Sequence, residues 1–390
     1  MRELIAALEG SRIREVANVG LGRADVLPFW FGESDETTAD FIRQAAIESL
    51  QRGETFYAHN LGMPELRQAL ADYTARWHPS QPATQWAERI AVTSGGVNAL
   101  MLACEALVDA GDEVVAVTPV WPNLVAQPRI MGACLQTVSL RPDAGGAWQL
   151  DMAELLAAVT PRTRLLVLNA PNNPTGWTLT RAEQQEILNH CRQTGTWILA
   201  DEVYERLYFD GEAGQPAPSL LDLATPDDRL VVAHSFSKTF LMTGWRLGWL
   251  VMPPFLVPAM GKLIEFNTSC APVFVQRGAI EALRLEPTLV PALQQHMRAC
   301  RDVLVSGLRA VPRVMVEAPE GGMYAFLRVD GVSDSLAFAR ELVLRHGLGL
   351  APGAAFGPEG EGWLRWCFAS RDTQRLRLGV ERLAAALQRP

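Results

Sequence analysis

The chain has 390 residues, 48% of them hydrophobic and 20% charged. That is foldable globular composition with enough apolar material for two or three domains, and it excludes a disordered chain. A net charge of −8 argues against a surface built to coat nucleic acid or an anionic membrane. Of 35 basic residues only Lys238 and Lys262 are lysines; the rest are arginines. Composition alone can explain such scarcity. Yet only lysine offers a removable proton and a nucleophilic amine near neutral pH, so each of the two requires an explanation.

The six cysteines (Cys104, Cys134, Cys191, Cys270, Cys300 and Cys367) form no CxxC pair. They read as buried free thiols of a reducing compartment. The histidines are scattered without metal-ligand spacing. The segment from Met1 to Val16 lacks the uninterrupted apolar core of a signal peptide. The greasiest stretch, Trp249 to Met260, carries three prolines and is too short to span a bilayer. The expectation is a cytoplasmic protein with neither nucleic acid nor membrane as partner.

In chain order, residues 1–10 suggest a helix and 11–38 an irregular arm. Residues 39–52 and 64–77 have helical periodicity, with Pro64 suited to a first turn. Then short apolar runs alternate with helical ones. The expected strands are Ile90–Thr93, Glu113–Val117, Leu135–Ser139, Arg164–Leu168, Trp197–Ala200, Leu230–Ala233 and Leu247–Val251. The expected helices include Val97–Val108, Met152–Val159 and Arg181–Arg192. Strands apolar on both faces and separated by helices predict an α/β fold with a seven-stranded, mostly parallel sheet. Past residue 290 a long helix (about 288–310) is followed by shorter strands and helices, which read as a smaller α+β unit. The predicted division is an arm (1–45) packing with the small domain, a large domain (46–290) and a small C-terminal domain (291–390).

Ligands collect at the carboxyl ends of parallel strands, and five such ends here are chemically loaded. The first is Thr93-Ser94-Gly95-Gly96 running into the helix from Val97. It suits an anion on exposed backbone N–H groups, although an ordinary strand–helix turn reads the same. The second holds Trp121 between two prolines, placed to stack on a flat ring or to plug a loop. The fourth is the amide-rich turn Asn169 to Gly176, where turn chemistry competes. The fifth is Asp201, either buried against a cation or acting as a helix N-cap. The sixth is Ser235-Phe236-Ser237-Lys238, with Arg246 eight residues on. A surface lysine is the plain alternative for Lys238, and the chain's avoidance of lysine weighs against it. Lys262, in an apolar helical stretch, reads as a snorkelling surface residue.

One ligand makes sense of these parts together. Its aldehyde forms a Schiff base with Lys238, its phosphate sits on Ser94, Gly95, Gly96, Val97, Ser235, Ser237 and Arg246, and its pyridine nitrogen meets Asp201. Its phenolic oxygen takes bonds from Asn173 and Tyr204, and its ring stacks on Trp121. That ligand is pyridoxal 5′-phosphate (PLP).

The strings YAHNLGMPELRQAL, VTSGGVNALML, APNNPTG, ADEVYERLYF, SFSKTFLMTGWRLGWL, PEGGMYAFL and LRWCFA resemble, in order and spacing, the fold-type I PLP-dependent aminotransferases of class I/II, the aspartate-aminotransferase-like family. The resemblance covers nearly the whole chain. It implies that Lys238 is the catalytic lysine, that Arg365 clamps the substrate α-carboxylate with help from Gly32, Trp121 and Asn173, and that Tyr57 reaches the phosphate of a neighbouring subunit in a homodimer. The implied activity is transfer of an amino group from an L-amino acid to a 2-oxo acid. Two alternatives stand beside it: β-elimination of a C–S bond (or another elimination) on the same scaffold, and a ligand sensor built on the fold. The segment Phe29 to Asp35 is expected to line the substrate entrance and, being aromatic and acidic, to suit aromatic or large neutral donors. Residues 268–272 carry no arginine for a second carboxylate, and Arg277 is expected inside the following helix.

Overall fold

A computed structural model describes residues 1–80, 82–212 and 214–388. Seven strands build the main sheet: β1 (Ile90–Thr93), β2 (Glu113–Thr118), β3 (Cys134–Ser139), β4 (Thr163–Asn169), β5 (Trp197–Asp201), β6 (Leu230–Ser235) and β7 (Gly248–Val251). Their order is β1-β7-β6-β5-β4-β2-β3. All neighbours run parallel except β7, which lies antiparallel between β1 and β6. The predicted strands recur within a residue or two of their expected ends. Central strands are buried along their full length, as runs apolar on both faces require.

A second, antiparallel sheet follows: β8 (Val314–Val316), β9 (Tyr324–Val329), β10 (Ala351–Pro352) and β11 (Trp363–Cys367), in the order β8-β9-β11-β10. The N-terminal segment joins this part of the molecule. Leu27–Pro28 pairs in parallel with Leu348–Gly349, and Glu15 accepts from Arg340 at 2.9 Å.

Three local expectations are corrected. Helix in the first ten residues is confined to Glu3–Ala6, while the supposed irregular arm contains the helix Arg12–Val19. Ser11 caps it through the N–H of Arg14, and Ile13, Val16 and Ala17 are buried. The helix expected from 288 begins at Val273 and runs unbroken to Arg309, across both Pro287 and Pro291. Each proline removes a helical hydrogen bond. The buried stripe nonetheless continues through them (Ala282, Leu283, Glu286, Val290, Leu293), so tertiary packing overrides the local cost. Residue 290 therefore lies inside one helix. Finally, Cys134 is exposed and Cys270 partly so; the other four free cysteines are buried.

Behind the end of β5 lies a buried charged network. The ring nitrogens of His78 are 2.7 Å from Glu205 and 2.8 Å from Asp222. Arg206 pairs with Glu286 and stacks 3.7 Å from the Trp77 ring. Ser219 donates to Glu202 at 2.6 Å. These contacts fix the segment that follows Asp201. Burial opposes charge on His78, but the two carboxylates prevail and hold its pKa up to about 10. A folded-state value above the unfolded one, about 6.5, stabilises the fold fully below that pH and loses the contribution as pH rises toward 10. His78→Gln should therefore cost about 3 kcal/mol near pH 6, the scale of a broken buried pair. In urea unfolding of both proteins from pH 6 to 10 the gap should narrow; a gap independent of pH would contradict the assignment.

Candidate active site

The carboxyl ends of the strands open on a cavity of about 370 Å³. Of the residues singled out in the sequence, Gly32, Gly96, Val97, Trp121, Asn173, Asp201, Tyr204, Ser235, Ser237, Lys238, Arg246 and Arg365 all line it. Ser94 and Gly95 lie beside it rather than in its wall, and the Ser94 N–H is taken by the side chain of Asn98 at 3.1 Å. Tyr57 is 89% exposed on its own chain and contributes nothing to this cavity.

Antiparallel β7 is what assembles the anion end. Gly248 sits in register with both Thr93 of β1 and Ser235 of β6. Arg246, two residues earlier, is thereby delivered between those two strand ends. The helix Gly96–Leu107 starts there with no side-chain cap, so its first N–H groups are available to an anion. Gly95 has φ +97°, and a Cβ on it would meet the Arg246 guanidinium at 2.5 Å. Ser235 donates to the Ser237 hydroxyl at 2.9 Å.

Asp201 ends β5 in register with Asn169 of β4. It is 2% exposed and forms no ion pair among the described residues. Its Oδ1 accepts only a long bond from the N–H of Val203, 3.4 Å. Burial pushes its pKa up to about 7, against the pull of that N–H and of Lys238. A cation placed against it would restore the charged form.

Lys238 follows β6 and donates to the carbonyl of Gly32. Burial pushes its pKa down to about 8, and Arg365 adds to the effect. The amine thus gives up its proton closer to neutral pH than an ordinary lysine does.

Arg365, in β11, is buried. It donates to Asn173 Oδ1 at 2.9 Å and to the carbonyl of Trp30, and its Nε has no partner. No carboxylate pairs with it among the described residues. In the Asn169–Gly176 turn the labour is divided. Asn172 holds Thr175 (2.8 Å) and so maintains the turn, whereas Asn173 is anchored through its N–H to Asn169 (2.8 Å), leaving its amide facing the cavity.

Sequence reading missed several wall residues. Tyr324 starts β9 and places its hydroxyl 2.7 Å from that of Tyr204. Ile13 and Arg14 reach the cavity from the helix Arg12–Val19. Asn169 was visible only as part of a turn. From the segment Phe29 to Asp35, only Phe31, Gly32 and Glu33 line the cavity. Phe29 and Trp30 are core residues, and Asp35 is engaged by Arg375 at 2.6 Å. Arg277 lies within its helix as expected, tied to Glu54 at 3.0 Å and Glu65 at 3.5 Å. Lys262 is exposed on the helix Val257–Asn267.

A cavity that gathers an amine of lowered pKa and a buried guanidinium engaged by no carboxylate among the described residues is built for chemistry on small carboxylates. The chain belongs to the aminotransferase class I and II family, whose model matches residues 25–383, and it is an amino-acid transaminase. It is 36% identical over 354 residues to an arginine–pyruvate transaminase of Pseudomonas aeruginosa, covering 90% of this chain and 87% of that one. It is 30% identical over 383 residues to an aromatic-amino-acid aminotransferase of Thermococcus litoralis, covering 97% and 96%. Its fold matches the crystal structure of an aspartate aminotransferase of Thermotoga maritima with a TM-score of 0.90 at 28% identity, covering both chains fully. No helix among the described residues is long and apolar enough to cross a membrane.

The geometry around Gly95 makes a direct prediction. Gly95→Ala adds a Cβ where backbone strain costs about 1–3 kcal/mol and displaces the Arg246 guanidinium. Calorimetric titration of the cofactor-free protein with inorganic phosphate should show roughly tenfold weaker binding, and unchanged affinity would show that this corner is not the anion site.

Proposed function

We propose that the cavity binds PLP through Lys238 and moves an amino group between an L-amino acid and a 2-oxo acid. The observation that carries this reading is the pairing, in one cavity, of a lysine of lowered pKa with a buried carboxylate that forms no ion pair among the described residues. The residues fit the cofactor. The buried carboxylate of Asp201 suits a protonated ring nitrogen, and the uncapped helix with Ser235, Ser237 and Arg246 suits a phosphate. Trp121 lines the same cavity and offers a stacking face. When bound, PLP supplies a protonated ring that accepts the electron pair left as a proton leaves the substrate Cα.

The chain's own residues do the rest. Asp201 keeps the ring nitrogen protonated, since a carboxylate opposite favours its charged form. Tyr204 and the Nδ2 of Asn173 donate to the phenolic oxygen. Arg365 takes the substrate carboxylate in two parallel bonds, which orients the Cα–H. Lys238, whose side chain lines the same cavity, would take up and return that proton. The cavity wall contributes Ile13, Phe31, Leu100 and Tyr324, which limit water.

Relatives named for aspartate, aromatic and arginine substrates differ in donor, so the donor must be read from the wall. Ile13, Phe31 and Trp121 support an aromatic or large neutral donor. Arg14 favours a second reading for the acceptor. Its guanidinium lies 5.8 Å from the Phe31 ring and has no carboxylate partner among the described residues, so an acidic 2-oxo acid would be accommodated. The exposed Phe56, Tyr57 and Phe266 support a homodimer in which Tyr57 reaches the partner's site. The free cysteines support a cytoplasmic location.

Single-turnover experiments without a 2-oxo acid test the reading. Each productive donor should convert the bound cofactor stoichiometrically from its aldehyde to its amine form, with aromatic and large neutral donors faster than aspartate. Steady release of ammonia and a 2-oxo acid instead would identify an elimination. Aspartate or glutamate outpacing all other donors would overturn the donor assignment alone.

A further inference from the structure

We propose that Tyr324 is a positioning residue that sets the hydrogen-bonding state of Tyr204 and couples it to the carboxylate clamp; this rests on the PLP reading above. Tyr324 is buried at the start of β9, and three contacts converge on it. Its hydroxyl is 2.7 Å from that of Tyr204, with the two rings edge to face at 5.7 Å and 78°. The guanidinium of Arg365 lies 4.3 Å from its ring centroid. The backbone of Gly32 presses on its hydroxyl so closely that a Cβ there would overlap it, and the carbonyl of that same glycine accepts from Lys238.

The direction of the Tyr204–Tyr324 bond follows from counting protons. Two facing hydroxyls share one hydrogen bond, so one proton must go elsewhere. Among the described residues each hydroxyl has only the other as a partner, and either could be the donor; both line the cavity. With the Tyr204 proton given to the phenolic oxygen, as the PLP reading has it, Tyr324 is the donor of the pair. Both phenols stay protonated at neutral pH, because burial pushes Tyr324 up to about 12 and Tyr204 well above the ordinary range. A hydroxyl that accepts one bond donates a stronger one. Tyr324 thus makes Tyr204 a better donor to an anionic oxygen in the cavity. The Arg365 contact ties the tyrosine's position to the place where a substrate carboxylate arrives.

Tyr324→Phe keeps the ring under Arg365 and removes only the hydroxyl. The visible absorption of the PLP-loaded protein should then titrate at higher pH, by about 0.5 to 1 unit, since a weaker donor stabilises an anionic oxygen less. The kcat should fall about threefold to tenfold with KM for the amino acid within about twofold, the lost share of one hydrogen bond falling on the step rather than on binding. The same substitution in a Tyr204→Phe background should produce no further spectral shift, because the effect passes through Tyr204. A Tyr324→Phe titration superimposable on the parent's overturns the proposal, and so does a shift that persists without the Tyr204 hydroxyl. Tyr204→Phe measured alone keeps the test intact if the double variant folds poorly, since Tyr324→Phe must then shift the titration in the same direction by no more. If the parent protein itself shows no PLP-dependent visible band, the cofactor reading fails instead, and the two failures are distinct.

Discussion

A carboxylate buried without a cation is expensive, and Asp201 is such a group: it ends a central strand, its one hydrogen bond is long, and burial has lifted it to about 7. A fold that tolerates this has arranged for the charge to be supplied from outside. Across the cavity the complementary debt is visible. Arg365 is buried with an unsatisfied Nε and no carboxylate partner among the described residues, and the pKa of Lys238 is pushed down. Each of these groups is costly alone. Together they describe a ligand: a cation for Asp201, a carboxylate for Arg365 and a carbonyl for Lys238.

The scaffold serves that arrangement. Parallel strands β4, β5 and β6 deliver Asn169, Asp201 and Ser235 to one edge of the sheet. The single antiparallel strand β7 then doubles back between β6 and β1, carrying Arg246 to the uncapped helix at Gly96. The small sheet closes the opposite wall with Tyr324 and Arg365, which face each other across two of its strands. Behind the floor, His78 pairs with Glu205 and Ser219 holds Glu202, so of this acidic run only Asp201 lines the cavity.

Most of the cavity floor was legible in the sequence, because strand-end positions are set by a regular rhythm of apolar runs. Lys238, Asp201 and Arg246 announce themselves by chemistry that is out of place beside those runs. The wall was less legible. Tyr324 sits at the start of a strand in the second sheet, where a tyrosine is ordinary, and its role exists only through its distance to Tyr204. Ile13 and Arg14 were hidden because a two-turn helix capped by Ser11 reads as irregular chain. The helix Val273–Arg309 was read from its second half, since Pro287 and Pro291 imitate a start when the buried stripe that carries the helix through them is not in view. Asp35, taken as part of the entrance, is held by Arg375 outside the cavity.

The scarcity of lysine ties these strands of argument together. Arginine carries nearly all the other positive charge, on the surface and at buried sites such as Arg206 and Arg365, and Lys262 is one exposed exception with no chemistry around it. Position 238 cannot follow the trend, because a guanidinium neither forms an imine nor releases its proton at neutral pH. Borohydride reduction of the PLP-loaded protein, followed by peptide mapping, addresses this directly. The account predicts one pyridoxyl group per chain, on Lys238, with Lys262 unmodified. A label on Lys262, or none on either lysine in a protein that retains full transaminase activity, would contradict it.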